Sequence, residues 1–232
     1  MLSNIKTTFI AAGLALVGFV APASAATVTS TSATLGTGDA GFSWTVDFVC
    51  SPSLPCNATP TQALTAQAVF TLVSSAGGQW AINLVLSNTS ASGVGGALTA
   101  MGFDTDPNSS LGSIVDSAAD GIVFSGGSGG AAGIPGFGNE LCLWDGNNCQ
   151  AANQQTMTAG KSDTISFVLT TAANATSLTF SNFAVKVAGS GLPQSYEFGG
   201  RIPSPVPLPA AGGLLLVGLG GLALLKRKQR AA

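Results

Sequence analysis

The chain has 232 residues, of which 46% are apolar and only 8% charged, against about 25% charged in ordinary globular proteins. It holds 31 glycines and no histidine, which excludes Ser-His-Asp and Cys-His catalysis and histidine-ligated zinc or iron. Between Ala26 and Pro209 stand all ten acids and only Lys161, Lys186 and Arg201, a balance of −7 that argues against a nucleic-acid partner.

At the N-terminus Lys6 precedes the apolar run Phe9 to Val20, and Pro22 ends it. Ala23-Ser24-Ala25 then offers small residues at both positions a signal peptidase reads. The pattern predicts a signal peptide, residues 1–25, cut before Ala26 by signal peptidase after export by the secretion machinery. As a helix the apolar run covers roughly 18 Å, well short of a bilayer core of about 30 Å, which disfavours an uncleaved anchor.

Residues 26–200 are rich in Thr, Ser, Ala, Gly and Asn and leave about 175 residues for one domain with a core. Period-two alternation predicts half-buried strands. Phe42, Trp44, Val46, Phe48 and Cys50 share one face of the first; Ala66, Ala68, Phe70 and Leu72 mark the second. Trp80, Ile82, Leu84 and Leu86 follow, then Ile165, Phe167 and Leu169, then Phe183, Val185 and Val187 with Lys186 pointing outward. Shorter candidates are Leu98 to Phe103, Gly121 to Phe124, Leu178 to Phe180 and Tyr196 to Phe198. Turn-formers separate them: Gly77-Gly78, Asp106-Pro107-Asn108, and Gly126 to Gly138, which reads as a flexible loop. No stretch of the domain carries a helical apolar stripe. The expected fold is all-β, an antiparallel β-sandwich of jelly-roll type.

Four cysteines allow three pairings. Cys50 with Cys56 and Cys142 with Cys149 is the simplest, since each pair brackets a turn-rich loop. Such disulfides belong to an oxidising compartment. A tetrathiolate zinc site is the alternative, although spacings of five and six residues exceed the usual two to four.

Three places could carry chemistry. Asp104, Asp106 and Asn108 put oxygen side chains at alternate positions, the way a loop wraps Ca²⁺. Yet Ser109 stands where an EF-hand needs glycine and Val115 where it needs a bidentate Glu, and an Asx-turn uses the same residues. Trp144, Asp145 and Asn147, on a loop bracketed by Cys142 and Cys149, suit a ligand-binding tip for sugars, or simply a turn. Among the carboxylates, Glu140, Glu197 and eight Asp offer no spacing that singles out a glycosidase pair. No catalytic residue is assigned and no cofactor is expected, Ca²⁺ being the one candidate. Asn57-Ala-Thr59 forms an Asn-x-Thr triplet that carries little weight in so Thr-rich a chain.

Residues 201–209 alternate prolines at Pro203, Pro205, Pro207 and Pro209, an extended and accessible strip. Residues 210–225 are uncharged and predict one transmembrane helix of roughly 24 Å. Residues 226–232 form a basic tail, Lys226-Arg227-Lys228-Gln229-Arg230, placed in the cytoplasm by the positive-inside rule.

This tripartite end resembles the PEP-CTERM class of bacterial sorting signals in its VPLPA variant, with Val206, Pro207, Leu208, Pro209 and Ala210 as the motif. The resemblance covers Val206 to Ala232. It implies that an exosortase-type membrane protease recognises the proline motif, removes helix and tail, and releases the domain to the cell surface or extracellular matrix. The rival is a one-span anchor that is never cut. Gly102 to Asn108, Ile134 to Gly138, Cys142 to Cys149 and Ser162 to Thr164 are also similar to the ectodomain of a cysteine-containing PEP-CTERM subfamily, to which no activity attaches.

Three functions follow as expectations. The first is a non-catalytic surface or matrix protein, first held at the inner membrane with its domain outside, that associates with exopolysaccharide. The second is a Ca²⁺-dependent carbohydrate-binding adhesin that stays membrane-anchored. The third is a hydrolase.

Overall fold

A computed structural model describes residues 26–53, 56–116, 122, 124–128, 133–146, 148–150, 156–189 and 191–203. Twelve strands and no helix occur among them: β1 Thr27–Val28, β2 Ala33–Gly36, β3 Ser43–Cys50, β4 Leu64–Ala76, β5 Gln79–Asn88, β6 Ala97–Asp106, β7 Ser110–Asp116, β8 Phe124–Ser128, β9 Leu141–Asp145, β10 Ser162–Thr170, β11 Ser177–Ala188 and β12 Tyr196–Arg201. Every pairing of these strands is antiparallel, so the all-β expectation holds.

The strands follow one path, β7-β10-β5-β4-β3-β12-β11-β6-β9-β8, with β1 and β2 joined through β11. The two ends of the path meet, so the sheet nearly closes on itself. Asp116 at the end of β7 accepts a hydrogen bond from the Phe124 amide at the start of β8. A methyl group on Gly126 of β8 would lie 2.7 Å from Leu111 and 2.8 Å from Ile114 of β7.

Local chemistry explains the turns. β4 and β5 are joined by Gly77 and Gly78, both at positive φ (57° and 79°), the two-residue hairpin that matches strand twist and needs glycine. β12 changes partner midway. Tyr196 to Gly199 pair with β11, and Gly200 and Arg201 pair with β3. Gly200 permits this because an added methyl would sit 2.4 Å from the Phe48 ring. Ile202 is buried and its amide donates to the Ser30 carbonyl (3.0 Å), so the folded unit runs two residues past the expected boundary at 200.

The core is aromatic. Trp44 of β3 stacks on Phe70 of β4 at 4.9 Å, and both meet Phe180 of β11 at 5.0 and 5.9 Å. Phe103 of β6 reaches Phe70, Phe180 and Phe167 at 5.8, 5.6 and 6.0 Å. Each buried ring contributes roughly 1.5–3 kcal/mol through its apolar area. Trp44, Phe70 and Phe167 are residues that alternation placed on one face, and Phe103 and Phe180 belong to the shorter strand candidates.

Three expectations are corrected. Gly126 to Gly138 is not one flexible loop, because Gly126 and Gly127 are in β8, and Ile134 is fully buried. Trp144 is not on a loop but in β9, paired to Ala100 of β6 and Ser125 of β8. Lys186 does point away from the main core, yet it is buried. A second cluster, Ala100, Ile134, Cys142, Cys149 and Ala184 with Phe137 and Trp144 against it, covers that face. Small residues make room for the cover: methyl groups on Gly102 and Gly199 would lie 2.5 Å from Asn139 and 3.3 Å from Phe137.

Candidate functional site

Beneath this cover lies a buried polar cluster. β11 and β12 place Lys186 directly opposite Glu197, so both side chains leave the same face. Their side chains are 7% and 4% exposed, and Lys186 Nζ stands 3.9 Å from Glu197 Oε1. A charge this deep is tolerated only when paired and hydrogen-bonded.

The partners come from the two cysteine loops. Cys50 and Cys56 stand at disulfide distance with Cα atoms 5.6 Å apart, and Cys142 and Cys149 likewise at 6.3 Å. The residue after each second cysteine enters the cluster. Gln150, after Cys149, accepts a hydrogen bond from Lys186 Nζ on its backbone carbonyl. Asn57, after Cys56, docks on Glu197 along its whole length. The Asn57 amide donates to the Glu197 carbonyl (3.2 Å), and the Glu197 amide donates to Asn57 Oδ1 (3.0 Å). Asn57 Nδ2 donates to Glu197 Oε2 and to the Ser195 carbonyl (3.3 Å). Ser195 Oγ donates to Glu197 Oε1 at 2.8 Å. Both carboxylate oxygens are thereby occupied, and two loops far apart in sequence are tied to one strand pair.

The sequence singled out the cysteines and not this cluster. Asn57 read as a chance triplet, Glu197 as one carboxylate among ten and Lys186 as a solvent-facing charge. The available signal was a Lys and a Glu on neighbouring strands, each alternating with small residues, Ala184 and Ala188 for the one and Gly199 for the other.

The expected Ca²⁺ trio is split by its surroundings. Asp104 Oδ1 accepts from the Glu140 amide (2.8 Å) and Oδ2 from Asn182 Nδ2 (2.7 Å). Asp106 and Asn108 are exposed, and the turn between them is closed by Thr105 Oγ1, which accepts the Ser109 amide at 3.0 Å. Among the described residues no group of three or more His, Cys, Asp or Glu is arranged to hold a metal.

The expected ligand tip is likewise divided. Trp144 lies half-buried over Gly127, whose added methyl would sit 2.8 Å from the indole. Asp145 is fully buried and accepts from the Thr156 amide (3.0 Å) and hydroxyl (2.7 Å). Asn147 lies outside the described residues. So do the cleavage residues Ala23 and Ala25, the sorting motif Val206 to Ala210, the predicted membrane helix and the basic tail; Ala26 is the first residue described. Comparison of the chain with protein-family models, with curated proteins and with solved structures finds no match.

Proposed function

We propose that this chain is an exported, non-catalytic bacterial surface or extracellular-matrix protein, delivered by the C-terminal signal that resembles the VPLPA form of PEP-CTERM. Signal peptidase would cut before Ala26, and an exosortase-type protease would act at Val206 to Ala210. The observation that carries the reading is the pair of disulfide-distance cysteine loops in a domain with so few charges. Such bonds form and persist in oxidising compartments, which agrees with an N-terminal signal peptide. We read the nearly closed sheet as a flattened jelly-roll sandwich, with β3, β4, β5, β7 and β10 in one layer and the remaining strands in the other. Its outer surface of Thr, Ser and Asn hydroxyls and amides suits association with a neutral exopolysaccharide.

The test is the intact mass of the protein recovered from its native host, fraction by fraction. A matrix or surface species that starts at Ala26 and ends near Pro209 supports the proposal. A membrane species that retains Ala210 to Ala232, with no shorter form elsewhere, overturns it in favour of a permanent one-span anchor.

A further inference from the structure

We infer that Lys186 and Asn57 are built to join in an intramolecular isopeptide bond, with Glu197 as the proton carrier. The pair does not look like a salt bridge arranged for its own sake. At 3.9 Å it is at the outer limit of an ion pair, and the lysine gives its hydrogen bond to the neutral Gln150 carbonyl instead. The Glu197 carboxylate turns one oxygen toward Lys186 and the other onto the side-chain amide of Asn57. That amide is held as an electrophile should be held. Its Oδ1 accepts the Glu197 backbone N–H at 3.0 Å, which polarises the carbonyl and would receive the negative charge that develops there. Its Nδ2, the leaving nitrogen, rests on the Glu197 carboxylate, from which a proton can be returned. Glu197 Oε1 stands beside Lys186 Nζ as the base that can take its proton, and the free amine is the nucleophile.

The step balances without any co-reactant. Lys186 passes a proton to Glu197 and becomes the free amine. Nζ attacks Asn57 Cγ, the Nζ–Cγ bond forms, and negative charge gathers on Oδ1. Glu197 gives the first proton to Nδ2, then takes the second proton from Nζ as the Cγ–Nδ2 bond breaks and passes it to the departing nitrogen. The leaving group departs as ammonium, carrying the net charge that Lys186 first held, Glu197 ends as the carboxylate, and nothing is oxidised or reduced. The product ties the loop after Cys56 to β11 by an amide that reducing agents do not open.

The experiment is peptide mapping of the full chain expressed with export, reduced, alkylated and digested with chymotrypsin. The expected result is one branched peptide containing both Asn57 and Lys186, about 17 Da lighter than the two linear peptides together because one ammonia is lost. Glu197→Gln should yield the two linear peptides, and so should Lys186→Arg, which keeps the charge but cannot form the bond. Linear peptides in full yield from the wild-type chain overturn the proposal, whether or not either variant folds. A branched peptide that persists in Glu197→Gln overturns the role given to Glu197.

Discussion

Lys186 and Glu197 are direct cross-strand partners on β11 and β12, and each is capped by the residue that follows a disulfide-paired cysteine, Gln150 for the one and Asn57 for the other. The fold thus locks its two covalent loops onto one buried polar pair. Removing the carboxylate while keeping its shape tests that dependence. In Glu197→Gln the Lys186–Asn57 bond is not made, and the buried lysine stays with the Gln150 carbonyl but without the carboxylate beside it; leaving such a group without its partner costs about 3–5 kcal/mol. Urea unfolding under non-reducing conditions measures it. A loss below about 1 kcal/mol would show that the fold does not rest on the pair.

The loop that closes over Lys186 depends on Cys142 and Cys149. In the chain-entropy model a loop of this length is stabilised by about 2.4 kcal/mol, so Cys142→Ser with Cys149→Ser should lose at least that much. The two serines also free Gln150 from its place above Lys186. Combining them with Glu197→Gln should therefore be non-additive by about 0.5 kcal/mol or more, since all three act on one cluster. Strictly additive losses in a double-mutant cycle would separate the disulfide from the buried pair.

The sequence made the inner stripes legible because one dry face imposes a strict period of two. Trp44, Val46 and Phe48, or Trp80, Ile82 and Leu84, could be assigned by counting alone, and all are buried. The second covered face was hidden for the same reason. Ala100, Gly102, Ala184 and Gly199 are small because a loop lies on them, and small residues in a Thr-rich chain look like any exposed face. Once that cover is missed, Lys186 reads as outward and β9 as a turn, because Asp145-Gly146 is ordinary turn chemistry. β7 escaped as well: Ser110 to Asp116 has no buried stripe to betray it. Asn57 and Glu197 are 140 positions apart, a separation at which no local pattern announces a contact.

Glycines here divide into those the chain needs and those it merely has. Gly38 has open space around its Cα and no left-handed backbone, so Gly38→Ala should stabilise by about 0.4–1 kcal/mol through the unfolded chain. Gly200, where β12 passes from β11 to β3, has Val46 and Phe48 at 2.5 and 2.4 Å from an added methyl. Gly200→Ala should cost about 1–3 kcal/mol as neighbours are forced from their rotamers. Thermal melts of the two variants should shift in opposite directions. A neutral Gly200→Ala would mean that the crossover of β12 does not need this close approach.

Asp104 and Asp106 distinguish a structural carboxylate from a cation ligand. Asp104 accepts from the Glu140 amide and from Asn182, a residue held at φ 50° in the bulge of β11. Asn182 in turn reaches the Phe137 carbonyl, and its own carbonyl accepts from Asn139 at 2.6 Å, so Asp104 braces the covering segment against β11. Hydrogen bonds to a charged group contribute about 1.5–3 kcal/mol each, less where solvent reaches them, so Asp104→Ala should lose roughly 2 kcal/mol in chelator-treated buffer. Asp106 is exposed, and Asp106→Ala should stay within about 0.5 kcal/mol of the parent. If the two aspartates instead shared a Ca²⁺ ion, both variants would match the parent in chelator. Both would also abolish a rise in melting temperature that the parent shows in millimolar Ca²⁺, because a ligand bound only to the folded state stabilises it by mass action. Melts of the parent and both variants, with chelator and with Ca²⁺, decide between the brace and the ligand.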